Sequence, residues 1–148
     1  MTPTDKTERG QTETIRFDFD LRHPPEKVWR ALTEPALLAE WLLPAIDFEL
    51  ETGAAFRLKT QAYGEWDGTV HCRMIEIEPP KKLSYAWVVG DMELDTVVTF
   101  TLTPTASGSR LSLVQSGFKA TQKQESGGAR YGWKMMGGRL GELLDRID

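Results

Sequence analysis

Any chemistry in this chain of 148 residues must draw on two histidines, one cysteine and scattered carboxylates. His23 precedes the Pro24-Pro25 pair at a strand-to-helix junction and is expected to face solvent. His71 has the parity of Arg73, opposite Val70 and Cys72, and is expected to point outward. Cys72 sits in an apolar strand, where a small packed hydrophobe is the expected role. Without metal-ligand spacing among these groups, no zinc or iron site is expected. The chain has no Gly-x-Ser-x-Gly elbow, P-loop or dinucleotide fingerprint. Gly127-Gly128 reads as a loop before a helix, but no strand delivers it, so phosphate binding is not expected. The carboxylates Glu76/Glu78 and Asp91/Glu93/Asp95 are expected on solvent faces. No catalytic residue, metal or cofactor follows from these residues.

Polar and aromatic residues on faces that should point inward carry more information. Tyr85 and Trp87 share the parity of Leu83, Gln115 continues that of Leu111 and Leu113, and Thr96 interrupts Leu94 and Val98. A buried amide without a partner costs on the order of 1–3 kcal/mol. Gln115, Thr96 and Tyr85 therefore either satisfy one another internally or supply the few polar contacts of an apolar pocket. Gly137, between Trp133 and Leu140, removes volume where a leucine would be expected. Either a sheet residue such as Trp87 packs close there, or space is left for a ligand.

These side chains need elements to hold them. Residues 1–12 read as a flexible tail, and 13–148 as one domain. Ile15, Phe17, Phe19 and Leu21 alternate with polar residues as a half-buried strand. Pro25 suits the first turn of a helix carrying Val28, Ala31 and Leu32. A second short helix carries Leu38, Trp41 and Leu42 and stops at Pro44. From Ile46 to Gly117, strands are punctuated by Gly53, Gly64, Gly68, Pro79-Pro80, Gly90 and Ser107-Gly108. Between Val70 and Ile77 the alternation changes phase, which predicts a bulge near Met74 that bends the sheet. Gly117 to Gly128 reads as polar loop, and Tyr131 to Ile147 as a final helix. On that helix Trp133, Met136, Gly137, Leu140, Leu143, Leu144 and Ile147 form one apolar stripe. Met135, on its polar side, is a candidate dimer contact. A long one-sided helix following a one-sided antiparallel sheet gives a two-layer α+β domain.

Three segments together resemble the START-like (SRPBCC) superfamily, and within it the homologues of the activator of the ninety-kilodalton heat-shock chaperone's ATPase. The first is Pro24-Pro25-Glu26-Lys27-Val28-Trp29-Arg30-Ala31-Leu32-Thr33, followed by Pro35 and Glu40-Trp41-Leu42. The second runs from Gly64-Glu65-Trp66-Asp67-Gly68 through Ile75-Glu76-Ile77-Glu78-Pro79-Pro80 to Leu83-Ser84-Tyr85-Ala86-Trp87. The third is Ser116-Gly117-Phe118 ahead of a helix with Gly132-Trp133. The likeness covers about residues 13 to 147. It implies a helix-grip fold: a curved antiparallel sheet of about six to seven strands around the long C-terminal helix, with two short helices after the first strand. It also implies a cavity between sheet and helix that in relatives holds lipids, sterols, polyketides or phenolics.

Since one fold hosts many activities, three functions stay open. The leading one is non-enzymatic binding of a small apolar or aromatic molecule. Phe56, Tyr85, Trp87, Trp133, Met136 and Gly137 would form the walls, Thr96 and Gln115 the polar contacts, and Trp41 and Trp66 the mouth. The second is a co-chaperone or stress-response partner acting on a chaperone through its surface, as monomer or homodimer. The third is a cyclase- or hydrolase-type enzyme using Tyr85 or a buried carboxylate. A net charge of −4 argues against nucleic acid as partner. The longest apolar stretch, Pro35 to Ile46, is broken by Glu40 and Pro44, so membrane insertion is not expected. With a polar N-terminus and no signal-like segment, a cytoplasmic location is expected.

Overall fold

The computed structural model describes residues 4–5, 12–62, 66–90, 94–119 and 121–147. Its elements run β1 (Thr4–Asp5), β2 (Thr12–Leu21), α1 (Pro25–Thr33), α2 (Pro35–Trp41), β3 (Ala45–Ile46) and β4 (Ala55–Lys59). Then come β5 (Thr69–Glu78), β6 (Lys82–Val89), β7 (Leu94–Thr105), β8 (Gly108–Lys119) and α3 (Lys123–Arg146). The sheet order is β1-β2-β8-β7-β6-β5-β4-β3, antiparallel throughout. Two of these eight strands are two-residue pairings, which leaves six long strands around α3 in a helix-grip α+β fold. Of the expected tail, residues 1–3 and 6–11 lie outside the described residues, and Thr4–Asp5 pair with β2.

Alternation decides which face each strand buries. In β2, Ile15, Phe17, Phe19 and Leu21 are buried while Arg16 and Asp18 are only half-buried. The β5–β6 register shifts between Met74 and Glu76, where the change of phase places it. The extra residue turns Ile75 out to 46% exposure, while Val70, Cys72 and Met74 stay buried. β7 runs through Pro104 to Thr105. The last β6 partner is Lys82↔Thr101, so no strand on that side needs the N–H that Pro104 lacks.

The segment read as loop before the last helix is mostly regular structure. β8 runs past Gly117 to Lys119, and Phe118 is fully buried against the β2 register. Gly117 has a φ of 108°, and a Cβ there would lie 2.8 Å from the Asp95 carbonyl oxygen. That close approach explains the glycine. The chain then turns at Gln122, whose side-chain Oε1 accepts from the Lys119 backbone N–H at 2.9 Å and whose carbonyl accepts from the Ser126 N–H. α3 therefore starts at Lys123, and Gly127-Gly128 lie inside it.

Trp133, Gly137, Leu140, Leu143 and Leu144 are buried along α3, with Met136 and Ile147 half-buried beside them. Lys134, Glu142, Asp145 and Arg146 are exposed, as the stripe requires. His23 is half-buried rather than free in solvent. Its Nε2–H donates to Asp145 on α3 at 2.9 Å, and its Nδ1 accepts from Lys27 at 3.2 Å. An ammonium can only donate, so this arrangement uses Nδ1 as acceptor and Nε2 as donor. With Arg146–Glu40 at 3.3 Å, it ties the C-terminal end of α3 to the β2–α1 junction and to α2.

Candidate functional site

Aromatic rings run through the core in an unbroken series. Phe48 meets Phe56 with ring centroids 5.0 Å apart, Phe56 meets Tyr85 at 5.1 Å, and Tyr85 meets Phe100 at 5.9 Å. Phe100 then meets Trp133 of α3 edge-on at 6.0 Å, and Trp133 meets Trp87 at 5.5 Å. On the Trp87 side of that last pair the packing opens into a cavity of about 520 Å³ between the sheet and the N-terminal half of α3. This volume falls in the range of small-molecule sites.

The sheet contributes Trp87, Val89, Val70 and Leu94 to the wall, with Trp66 and Leu43 from the preceding segments. The helix contributes Gly128, Ala129, Gly132, Trp133 and Met136. Their three- and four-residue spacing puts them on one helical face. A Cβ at Gly128 or Gly132 would meet no atom within 4 Å. Gly128 is exposed and Gly132 half-buried, and both line the cavity beside Trp133 without a side chain to fill it. Exposed Gln124 and half-buried Glu125, in the first turn of α3, stand at the rim.

At the inner end lies a directional hydrogen-bond chain. Trp133 Nε1–H donates to Gln115 Oε1 at 2.8 Å. Gln115 Nε2–H donates to Thr96 Oγ1 at 3.0 Å, and Thr96 Oγ1–H donates to the Trp87 carbonyl at 2.8 Å. An indole N–H can only donate, so the Gln115 amide has one possible orientation. Gln115 and Thr96 are each 1% exposed, and their internal pairing removes the cost of burying them. Trp66 Nε1–H donates to the Thr69 carbonyl at 3.0 Å, which sets its ring at the cavity. Beside it, the Thr69 backbone N–H bonded to Asp67 holds that carboxyl below its ordinary range.

Of the residues the sequence singles out, Trp66, Trp87, Gln115, Trp133 and Met136 meet at this cavity, with Thr96 bonded just behind it. The others are placed elsewhere. Trp41 is not at a mouth: it is 1% exposed, donates to the Ala31 carbonyl at 2.8 Å and packs edge-on to Phe100. Phe56 and Tyr85 belong to the solid part of the core. Gly137 makes close packing rather than space, and its neighbour is Phe19, whose ring lies where a Cβ would be, not Trp87. Gly128, Gly132 and Glu125 carried no signal as site residues, because their segment read as loop or as the polar end of a helix.

Among the described residues, Tyr85 and Cys72 are poorly suited to acid–base or nucleophilic chemistry. Burial pushes the Tyr85 phenol well above its usual range, and the ring lies away from the cavity. Burial likewise pushes the Cys72 thiol up to about 12, so no thiolate forms at neutral pH. His71 is exposed on the outer face, in a shallow cleft with Arg57 and Arg73. Among the described residues, no three His, Cys, Asp or Glu side chains gather as a metal site, and no helix is long and apolar enough to cross a membrane.

The family model for Activator of Hsp90 ATPase homolog 1-like protein matches residues 22–145. Protein MLL2253 from Mesorhizobium loti is 42% identical, with a TM-score of 0.82 over 91% of this chain and 98% of its own. CalU16 from Micromonospora echinospora is 22% identical, with a TM-score of 0.79 over 99% of this chain and 88% of its own, a likeness of fold. DynU16, a protein in the dynemicin biosynthetic locus, is 25% identical with a TM-score of 0.75; the match covers 90% of this chain but 47% of that one. No curated protein matches the chain.

Proposed function

The chain belongs to the Activator of Hsp90 ATPase homolog 1-like family of the START-like (SRPBCC) superfamily, and on that premise we propose that it binds a small aromatic or apolar molecule without transforming it. The observation that carries this reading is the pairing of Trp87 and Trp133 with two helix glycines, Gly128 and Gly132, whose side-chain space is empty. A helix that only needed to pack would place larger side chains there, since filling such space strengthens a core. The two indoles offer flat apolar surface, and Gln115 retains one N–H to orient a ligand's polar group. DynU16, from a biosynthetic locus, lends support to a fold used on small molecules.

Tryptophan fluorescence titration with planar aromatics such as anthraquinones tests the proposal. Binding should quench the emission in wild-type protein and disappear in Gly132→Leu, whose side chain occupies the cavity. Equal quenching in that variant, or none in wild type across lipids, flavonoids and anthraquinones, would sink it.

The family's name supports a second reading, in which the outer-face cleft of Arg57, His71 and Arg73 meets a chaperone. A change in chaperone ATPase rate that Arg57→Glu/Arg73→Glu abolishes and Gly132→Leu spares would favour it.

A further inference from the structure

From the charges around the cavity we infer that its ligand carries a positive group, a basic nitrogen or quaternary ammonium on an aromatic or apolar body. This rests on the cavity being a binding site. Among the described residues lining it, Glu125 is the only ionised side chain, and no lysine, arginine or histidine is present. A carboxylate in the first turn of α3 is stabilised by the helix N-terminus. That accounts for its stability there, but not for the lack of a lysine, arginine or histidine among the described residues that line the cavity.

An anionic ligand entering this space would lose hydration and find no counter-charge. Of the indole and hydroxyl donors, Trp133 is engaged with Gln115, Thr96 with the Trp87 carbonyl and Trp66 with the Thr69 carbonyl, and the other donors of the lining, Gln115, Gln124 and Thr60, are uncharged. Gln115 gives one of its two N–H groups to Thr96. A cation meets the opposite conditions. The faces of Trp66, Trp87 and Trp133 present negative π-density, the Met136 sulfur is polarisable, and Glu125 stands at the rim.

Three probes sharing one ring system separate the possibilities: 2-methylanthraquinone, its trimethylammoniomethyl analogue and anthraquinone-2-carboxylate. Each is titrated at pH 7 and moderate salt by tryptophan quenching, against wild type and Glu125→Gln. The ammonium probe should bind about tenfold more tightly than the carboxylate, with the neutral probe between them. Glu125→Gln should reduce the ammonium affinity several-fold, leave the neutral probe unchanged and keep the thermal midpoint within a few degrees. Equal or tighter binding of the carboxylate, or equal weakening of all three probes by Glu125→Gln, overturns the charge preference while the cavity reading stands. Silence from all three probes overturns both.

Discussion

Two neighbouring glycines of α3 allow the contact between helix and sheet to be weighed. Gly137 and Gly138 sit in mid-helix, so replacing either by alanine should gain about 1 kcal/mol from helix propensity alone. They differ in what the new methyl meets. At Gly138 nothing lies within 4 Å, whereas at Gly137 the Phe19 ring stands in the way, with Cζ and Cδ1 at 2.8 and 2.9 Å and Cε1 closer still. Phe19 is 1% exposed and stacks on Phe17 at 6.2 Å, so it has little freedom to retreat. Overpacking of this kind costs about 1–3 kcal/mol. Propensity cancels between the two variants, so Gly137→Ala should be about 1–3 kcal/mol less stable than Gly138→Ala. For a chain of this size that is roughly 2 to 12 °C in melting midpoint. Thermal and urea unfolding followed by circular dichroism, with unchanged m-values, would measure it. Coincident midpoints would show that β2 does not press on the helix backbone at Gly137, and would remove the physical basis of the grip.

Gln115→Leu should lower stability by about 1–3 kcal/mol, because the Trp133 N–H loses its acceptor in a buried site; urea titration reads the loss, and an unchanged midpoint would mean that the indole is hydrated. Trp41→Phe should cost about 1–2 kcal/mol through the Ala31 carbonyl bond and lost ring area, yet leave anthraquinone affinity unaltered, as its core placement demands. Cys72 keeps its proton in the native state up to about pH 12, while the unfolded thiol releases it from about 9, so its contribution to stability is lost as pH rises across that interval. Cys72→Ala should flatten part of the alkaline fall in melting midpoint, and native wild type should react with thiol reagents at pH 8 only as fast as it unfolds.

Where one side chain decided a face, the sequence could be read directly. The parity of Ile15, Phe17 and Phe19, the phase break at Met74 and the stripe from Trp133 to Ile147 all translate into observed burial. Parity says which face a residue occupies, but not how far along the helix axis it meets its partner. Tyr85, Phe56 and Trp87 share the inner face, yet the first two meet edge-on within solid core and only Trp87 borders the cavity beneath α3. The start of α3 was hidden for a related reason. Gly127, Gly128 and Gly132 weaken both helix propensity and the apolar stripe, the two signals that mark a helix, and Gly128 and Gly132 also line the cavity.

The same glycines divide α3 into halves of unequal tenacity. From Trp133 onward, leucines and the His23 and Glu40 contacts hold the helix to the rest of the fold. Before it, three glycines within six residues offer no side chain to pack against the sheet. Each adds unfolded-state freedom, so unwinding the first two turns costs far less than global unfolding. Amide hydrogens of Ser126 to Gly132 should therefore exchange well ahead of those from Leu140 to Leu144. On the proposed binding function, a cavity roofed by its most easily melted segment would admit a guest through breathing of that roof, and a bound guest would slow the exchange there first.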